Sequence, residues 1–234
     1  WIARPSRPDV LWISVDSLRP DRLASYGSGR IATPFLDYLA ANGVLFEQAY
    51  ADAPWTTAAM ASALTGRFAV HHGLRTPFRR LPEDETTLAE VLADHGWRTA
   101  AIGGVVSLHR WYGLGQGFAH FDDRFDSPVE AAGDRPHLPL RDYDDIGRLR
   151  SQRTRKWRHD SLRGDEAVAD AAVAWLQTAG RRRPVFLWVH FFGPHRRRQL
   201  GDAPEAALRR SRDSYDAAVA GVDAQIGRIL DELR

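Results

Sequence analysis

Four stretches of this sequence are almost continuously apolar, and five others repeat apolar residues at helical spacing. The apolar stretches are typical of strands buried on both faces of a parallel sheet. They lie near residues 10–15, 44–50, 98–105 and 185–191. The predicted helices lie near residues 34–42, 57–65, 86–95, 165–178 and 205–232. This alternation predicts an α/β fold, with a mostly parallel sheet and helices on both of its faces.

Length and patterning predict a single domain over residues 1–234. With 234 residues, 44% of them hydrophobic, the chain can bury a substantial core. The segment at about 124–163 is rich in Pro, Gly, Arg and Asp and has no periodicity, so we interpret it as a loop-rich insertion. Because the chain starts with Trp1 rather than methionine, we expect an incomplete domain from a longer protein.

A carboxylate stands at the end of the first predicted strand. Asp16 directly follows the apolar run at 10–15. The carboxyl ends of parallel strands form the edge where open α/β sheets bind ligands. There Asp16 can bind a divalent cation as a hard oxygen ligand, or it can cap the following turn. The strand alone leaves both roles open and slightly favours the cap.

Two hydroxyls stand at the start of the second predicted helix. Thr56 and Thr57 precede a run of good helix formers that stops at Gly66, a typical helix C-cap. Either threonine could cap the helix, its oxygen accepting from the first free amides. The same helix end attracts phosphate or sulfate, and a hydroxyl placed there beside a metal can act as a nucleophile.

Seven segments follow one another in an order typical of a known family: VLWISVDSLRPDRLASYG, TPFLDYLAANGVLFEQAYADAPWT, ALTGRFAVHHGLR, GLGQGFAHFDD, DEAVADAAVAWL, VFLWVHFFGPH and SYDAAVAGVDAQIGRIL. In these segments the chain resembles the sulfatase family of the alkaline phosphatase superfamily. The family signature reads C/S/T-x-P-S-R, then four less constrained positions, then T-G. Counting back from Thr65-Gly66 puts the nucleophile position at Thr56. The match spans nearly the whole chain and implies an alkaline phosphatase-like sheet.

The resemblance also implies a function. It implies a metal-dependent hydrolase or transferase that cleaves sulfate or phosphate esters through the hydroxyl of Thr56. Asp16 and Thr56 would contact one divalent metal ion (Ca, Mg or Mn) in the intact protein, and a small anionic ester would be the substrate. His195, in GPH where the family commonly has DPH, would steady the anion or protonate the departing oxygen. His72 matches a family position at which we expect a structural role.

Several departures from the family pattern define an alternative. Sulfatases proper convert a cysteine or serine to formylglycine, which a threonine cannot form, and this chain has no cysteine. Thr56 therefore resembles the nucleophile of the family's threonine branch, which includes phosphoglycerol and phosphoethanolamine transferases and some phosphodiester hydrolases. Met60 stands in place of the signature arginine, and Ser17 stands where many members have a second aspartate. These changes suit a non-catalytic domain that acts as a binding or scaffold module.

The resemblance places the rest of the metal site after the last predicted helix. Family members carry an Asp-His or Asp-Asn pair on the strand that follows, and this chain stops at Arg234. We therefore expect the 234 residues by themselves to bind a metal ion poorly and to be inactive.

Charge and hydropathy narrow the possible partners. The 32 basic and 30 acidic residues give a net charge of +2, which indicates no particular partner. The basic run at 148–163 contains Trp157, but acidic residues surround it and it has no nucleic-acid-binding motif, so no nucleic acid partner is predicted. No apolar stretch approaches the roughly 20 residues of a membrane-spanning helix. Family members are often exported, so the resemblance favours a periplasmic or exported protein.

Overall fold

The computed structural model describes residues 7–76, 79–124, 163–180, 182–196 and 205–234, without the side chains of residues 196 and 205–212. Its strands are β1 (Val10–Val15), β2 (Arg98–Gly103), β3 (His120–Asp122) and β4 (Val185–Phe191). Its α-helices are α1 (Pro34–Asn42), α2 (Thr56–Thr65), α3 (Ala69–His72), α4 (Leu88–Asp94), α5 (Asp165–Ala179), α6 (Gly193–Arg196) and α7 (Glu205–Leu233). Short 3-10 turns occupy Pro20–Arg22, Ala24–Tyr26, Val106–Leu108 and Arg110–Tyr112.

The described strands form one sheet in the order β1-β4-β2-β3. Every described pairing is parallel, as predicted. In the centre of the sheet His190 of β4 is aligned with Ser14 of β1 on one side and with Gly103 of β2 on the other. Because all the strands run in the same direction, their carboxyl ends share one edge, and the chain segments that leave this edge lie close together.

Helices cover both faces of the sheet. One core cluster joins the sheet to α5 and α7, and a second joins it to α2 and the 3-10 turns. Successive side chains of a strand point to opposite faces, so Leu187 and Val189 belong to the first cluster and Trp188 to the second. His190 therefore lies on the face that α2 covers.

The stretch 44–50 is not a strand, so that prediction is wrong. Its side chains are open to solvent, with exposed fractions of 79% for Val44, 67% for Phe46 and 87% for Tyr50. A strand needs a neighbouring strand to satisfy its backbone hydrogen bonds. No described strand lies beside this stretch, so its apolar composition alone does not produce a strand.

The other predicted elements are present with small changes of boundary. The predicted strand at 98–105 ends at Gly103, and the short strand β3 was not predicted. The five predicted helices are confirmed as α1, α2, α4, α5 and α7. The insertion predicted at about 124–163 lies outside the described residues except at its two ends. Within the described part of the chain, none of the helices is both long enough and apolar enough to cross a membrane.

Candidate active site

Three residues that are distant in the sequence meet at the carboxyl edge of the sheet. Asp16 follows β1, Thr56 begins α2, and His195 lies in the short helix α6 after β4. The Thr56 Oγ1 hydroxyl donates to Asp16 Oδ2 at 2.6 Å. His195 Nδ1 lies 2.9 Å from Asp16 Oδ1. The structure thus brings together all three residues that the sequence analysis selected.

The turn after β1 fixes the position of the Asp16 side chain. The Asp16 amide donates to the Phe191 carbonyl at 2.9 Å, which extends the pairing of β1 with β4 by one residue. Ser17 follows with a φ of 57°, the left-handed region, which no other non-glycine residue in the described ranges adopts. Such a conformation is strained and persists only where its surroundings hold it. Here the Tyr215 hydroxyl donates to the Ser17 carbonyl at 2.8 Å.

Ser17 and His195 both contact the same oxygen of Asp16. The Ser17 hydroxyl donates to Asp16 Oδ1 at 2.9 Å, and its oxygen lies 2.8 Å from His195 Nδ1. An ionised carboxylate can only accept hydrogen bonds, so His195 donates from Nδ1. His195 Nε2 is then the ring nitrogen left to meet a substrate, and the His195 side chain is 34% exposed.

The electrostatics of the site favour an ionised Asp16. Burial raises the pKa of the Asp16 carboxyl, but hydrogen bonds from His195 and Thr56 outweigh burial and lower the pKa to about 2. Asp16 is therefore a carboxylate at neutral pH, held by three donors. Burial lowers the pKa of the neighbouring His190 to about 4, so its ring is neutral under the same conditions.

Neither threonine caps α2, which corrects the expectation that one of them does. Trp55 is the N-cap residue, and no side chain accepts from the first-turn amides. The Thr57 hydroxyl donates instead to the Ser107 carbonyl at 2.8 Å, and the Thr56 hydroxyl donates to Asp16. The helix does end as predicted, because Gly66 is its C-cap with a φ of 66°.

The segment that carries His195 is held by an aspartate from another helix. Asp165, the first residue of α5, accepts from the Phe192 amide at 3.0 Å and from the Gly193 amide at 3.2 Å. A Cβ atom on Gly193 would overlap Asp165 Oδ2. A side chain at 193 would therefore require Asp165 to move, because its carboxylate occupies the space beside this turn. The sequence analysis did not identify Asp165.

The buried residue His190 was also not predicted from the sequence. Its exposed fraction is 2%, and it lies 4.0 Å from Asp16 Oδ2 through Nε2. The sequence carried one signal for it, since His190 interrupts the otherwise apolar strand VFLWVHF. A buried polar side chain at the carboxyl end of a parallel strand is a candidate for a role in the site.

The Sulfatase family profile matches residues 8–234. The chain belongs to the sulfatase family. N-acetylgalactosamine-6-sulfatase of Homo sapiens is 27% identical over 256 residues, which cover 98% of this chain and 47% of that protein. Arylsulfatase A of Bos taurus is 43% identical over 108 residues, which cover 44% of this chain and 21% of that protein. The chain thus spans about half the length of the relatives that it matches from end to end.

Solved structures show the same fold. Ps i-CgsB in complex with k-i-k-neocarrahexaose has a TM-score of 0.70 at 19% identity, covering 97% of this chain and 55% of that one. Phosphonate monoester hydrolase of Agrobacterium radiobacter has a TM-score of 0.69 at 20% identity, covering 97% of this chain and 59% of that one. At these identities the similarity establishes the alkaline phosphatase-like fold of the sulfatase family and nothing finer.

Other residues on α2 and just after it have structural contacts. Met60, at the position of the signature arginine, is partly buried and packs against the core cluster on the α2 face. Arg67 forms an ion pair with Glu85, with 2.6 Å between Nη1 and Oε1. His72 is buried, as expected for a structural residue, and its Nε2 lies 2.8 Å from Ser62 Oγ on α2.

The described residues supply part of a metal site. Asp16 offers a hard carboxylate oxygen, and Ser17 and Thr56 offer hydroxyl oxygens. In the described part of the chain, no group of three or more His, Asp or Glu side chains could hold a metal ion. Calcium takes six to eight oxygen ligands, so the donor type suits a hard cation while the number of donors does not complete its site.

Proposed function

We propose that the protein containing this chain cleaves sulfate or phosphate esters, by hydrolysis or by transfer to an acceptor, with Thr56 as the nucleophile. The observation that carries the proposal is the 2.6 Å hydrogen bond from Thr56 Oγ1 to Asp16 Oδ2 at the N-terminus of α2. A nucleophilic hydroxyl needs an adjacent acceptor for its proton. It also needs a place for the anion, and a helix N-terminus without a side-chain cap provides one.

Asp16 prepares the hydroxyl for attack. Its Oδ2 atom holds the Thr56 proton, which leaves a lone pair of Thr56 Oγ1 free to approach the sulfur or phosphorus of an ester. The low pKa of Asp16 keeps this acceptor ionised at neutral pH. As Thr56 Oγ1 forms its bond to the sulfur or phosphorus, the bond from that atom to the departing alcohol oxygen breaks. The hydroxyl proton of Thr56 passes to Asp16.

His195 deals with the departing oxygen. Its Nδ1–H bond to Asp16 orients the ring, and in the reacting form Nε2 also carries a proton. That proton passes to the leaving alcohol oxygen, while the Thr56 side chain carries the sulfuryl or phosphoryl group. Water or an acceptor alcohol then attacks the sulfur or phosphorus and gives its proton to His195 Nε2. The bond to Thr56 Oγ1 breaks, and Thr56 takes back the proton from Asp16, which completes hydrolysis or transfer.

Asp16 and Thr56 are the residues that we propose for contact with a divalent cation. Such an ion, when bound, lowers the pKa of the attacking hydroxyl and neutralises charge on the ester oxygens. The cation would need further ligands beyond those that the described residues supply.

Kinetics of the whole protein test the proposed function. Turnover of an aryl sulfate, an aryl phosphate and an aryl phosphodiester is measured for the wild type, Thr56→Ala and Asp16→Ala. We expect one ester class to be turned over by the wild type and turnover to be lost in both variants. Full activity of Thr56→Ala in a correctly folded protein would rule out the threonine nucleophile. Sulfate esters are the first choice because the sequence relatives are named sulfatases.

A second candidate function is a non-catalytic domain that acts as a binding or scaffold module. The packing of Met60 into the core at the signature arginine position favours it, because a reacting anion then lacks the positive charge that would hold it for turnover. Inorganic sulfate and phosphate binding, measured by calorimetry beside the kinetics, separates the two functions. Binding without turnover of any ester would support the binding module.

A further inference from the structure

His190 stands inside the sheet, next to the residues proposed for catalysis. It lies in β4, paired on one side with Ser14 and on the other with Gly103, and its side chain is 2% exposed. Every other side chain of Val185–Phe191 is apolar or aromatic. A polar ring with so little exposure is shielded from bulk solvent, so its hydrogen bonds are set by its neighbours.

A chain of hydrogen bonds fixes which ring nitrogen carries the proton. Trp188 Nε1 donates to Ser14 Oγ at 2.9 Å, and Ser14 Oγ lies 2.8 Å from His190 Nδ1. An indole N–H can only donate, and a serine hydroxyl has one proton of its own to give. The Ser14 oxygen accepts from Trp188, and among the described residues His190 Nδ1 is the only hydrogen-bond acceptor near the Ser14 hydroxyl, so Ser14 donates its proton to His190. His190 Nδ1 therefore accepts, and the neutral ring carries its proton on Nε2.

The protonated nitrogen faces the carboxylate of Asp16. His190 Nε2 is buried and has no hydrogen-bond partner among the described residues. It lies 4.0 Å from Asp16 Oδ2, the same oxygen that accepts from Thr56. This separation is too long for a hydrogen bond, so the N–H group acts on the carboxylate through its dipole. With the opposite tautomer, a lone pair would face the negative charge and repel it.

We propose that His190 is a positioning residue for the Thr56–Asp16 pair. The relay runs from Trp188 through Ser14 to His190 and turns an N–H group towards Asp16 Oδ2. This keeps the carboxylate in the orientation in which it receives the Thr56 hydroxyl. The catalytic consequence rests on the proposed function, whereas the relay itself concerns only the folded chain.

A histidine that merely fills space in the core would behave differently. Its ring would contact apolar neighbours and would be indifferent to the charge on Asp16. The relay instead predicts that two changes at residues distant in the sequence, Ser14→Ala and Asp16→Asn, both alter the tautomer or the nitrogen environment of the His190 ring. Neither change introduces a larger side chain beside His190, so its packing against apolar neighbours is preserved.

Nitrogen-15 NMR of the histidine rings tests the relay in the full chain. The spectrum of the His190→Gln variant assigns the His190 signals among those of the nine histidines. We expect the wild-type ring to be the Nε2–H tautomer, with Ser14→Ala populating the other tautomer and Asp16→Asn shifting the Nε2 resonance. An Nδ1–H ring in the wild type, or signals unchanged in both variants, would overturn the proposal.

Kinetics of the active protein test the consequence. His190→Leu removes the donor, and we expect a roughly tenfold to hundredfold loss of kcat with little change in KM, as for other residues that orient a reacting group. His190→Gln places an amide N–H near the position of Nε2 and should restore most of the loss. Wild-type activity in a folded His190→Leu protein would overturn the proposal while leaving Thr56 as the nucleophile. If the wild type has no turnover, the proposed function fails and the NMR result still decides the relay.

Discussion

Helices α2 and α4 both begin beside a threonine, and the two threonines are used in different ways. At α4, Thr87 is the N-cap residue, and its oxygen accepts from the Glu90 amide at 3.2 Å. The Glu90 carboxylate in turn accepts from the Thr87 amide at 2.8 Å, which completes a capping box. The T-x-x-E spacing is visible in the sequence, and the Thr87 side chain is fully buried.

At α2 the threonine hydroxyl points away from the helix. Trp55 takes the N-cap position without a side-chain hydrogen bond, and Thr56 is the first helical residue. Its hydroxyl donates to Asp16 Oδ2 rather than accepting from an amide. The backbone donors that a cap would satisfy are therefore without a side-chain partner at this end.

The comparison shows that a threonine at the start of a helix can either cap the helix or donate its hydroxyl to a carboxylate of the candidate site. Thr87 contributes its hydroxyl to the stability of α4. Thr56 contributes its hydroxyl to a carboxylate, and α2 gives up a cap worth about 1 kcal/mol in typical helices. A helix end that lacks its cap is a poorer structural element and a better anion site, which fits the proposed role of Thr56.

The largest expected effect comes from Thr56→Ala. We expect turnover by the whole protein to fall roughly a thousandfold or more, since a nucleophile is removed, which corresponds to about 4 kcal/mol of transition-state stabilisation. The free energy of unfolding should change by only about 1 kcal/mol, the value of an ordinary hydrogen bond. Steady-state kinetics and urea unfolding measure the two quantities.

Thr57→Ala is the matched control. Thr57 is the next residue of the same helical turn, and its buried hydroxyl donates to the Ser107 carbonyl. Its removal should lower stability by about 1 kcal/mol and leave turnover close to wild type. Equal losses of turnover in the two variants would mean that Thr56 acts through the structure of α2 rather than as the nucleophile.

The fold was largely predictable from the sequence because the sheet is buried. Continuous apolar runs identified β1 and β4, and helical spacing identified the helices that cover them. The stretch 44–50 shows where this reasoning fails. It begins Val44-Leu45-Phe46 much as β1 begins Val10-Leu11-Trp12, yet only β1 has a partner strand. Strand pairing is a property of distant segments and cannot be read from a local pattern.

The candidate site could be predicted from the sequence only for residues that lie in recognisable motifs. Asp16, Thr56 and His195 were selected from motif positions, and the structure joins them through hydrogen bonds across 40 and 179 positions of sequence. The contacts of His190 and Asp165 depend on which strands and helices become neighbours. A motif carries no record of those pairings, so the contacts of both residues became visible only in the folded chain.

The second expected effect is on the pH dependence of stability, and it concerns the partner of Thr56. In the folded chain the pKa of Asp16 is lowered from 3.8 to about 2. A carboxyl with a lowered pKa stabilises the fold above its unfolded pKa, and this contribution is lost as the pH falls through the folded value. We expect roughly 2 kcal/mol, reduced somewhat by the partial exposure of the site.

Asp16→Asn measures that contribution when unfolding is followed in the presence of a chelator. The wild type should exceed Asp16→Asn in stability at neutral pH, and the difference should shrink between about pH 4 and pH 2. His190, with its pKa lowered from 6.5 to about 4 chiefly by burial, destabilises the fold as the pH falls from 6.5 to 4, which lies above the range in which the difference is read. A difference that is constant with pH would show that Asp16 does not hold its charge through Thr56 and His195.

The third expected effect is on stability, and it concerns the N-cap of α4. Thr87→Ala removes the cap and leaves the Glu90 amide without its acceptor. It also removes the hydroxyl that donates to the Gln116 carbonyl at 3.0 Å. We expect a loss of about 1 to 2 kcal/mol in the free energy of unfolding, with turnover unchanged. Thr87→Ser keeps the hydroxyl, so a loss as large as that of Thr87→Ala would argue against the cap.

The smallest effect comes from Glu90→Gln, which keeps the shape of the capping box and removes its charge. Glutamine can still accept from the Thr87 amide, so only the attraction between the carboxylate and the helix N-terminus is lost, about 0.5 kcal/mol at low salt. Because dissolved ions screen this attraction, the loss should diminish in urea unfolding at high salt. Glu90→Ala, which also removes the acceptor, should keep most of its loss at high salt. If the effect of Glu90→Gln did not depend on salt, the capping box would stabilise α4 through its hydrogen bonds alone. That result would also weaken the case that the uncapped N-terminus of α2 attracts an anion.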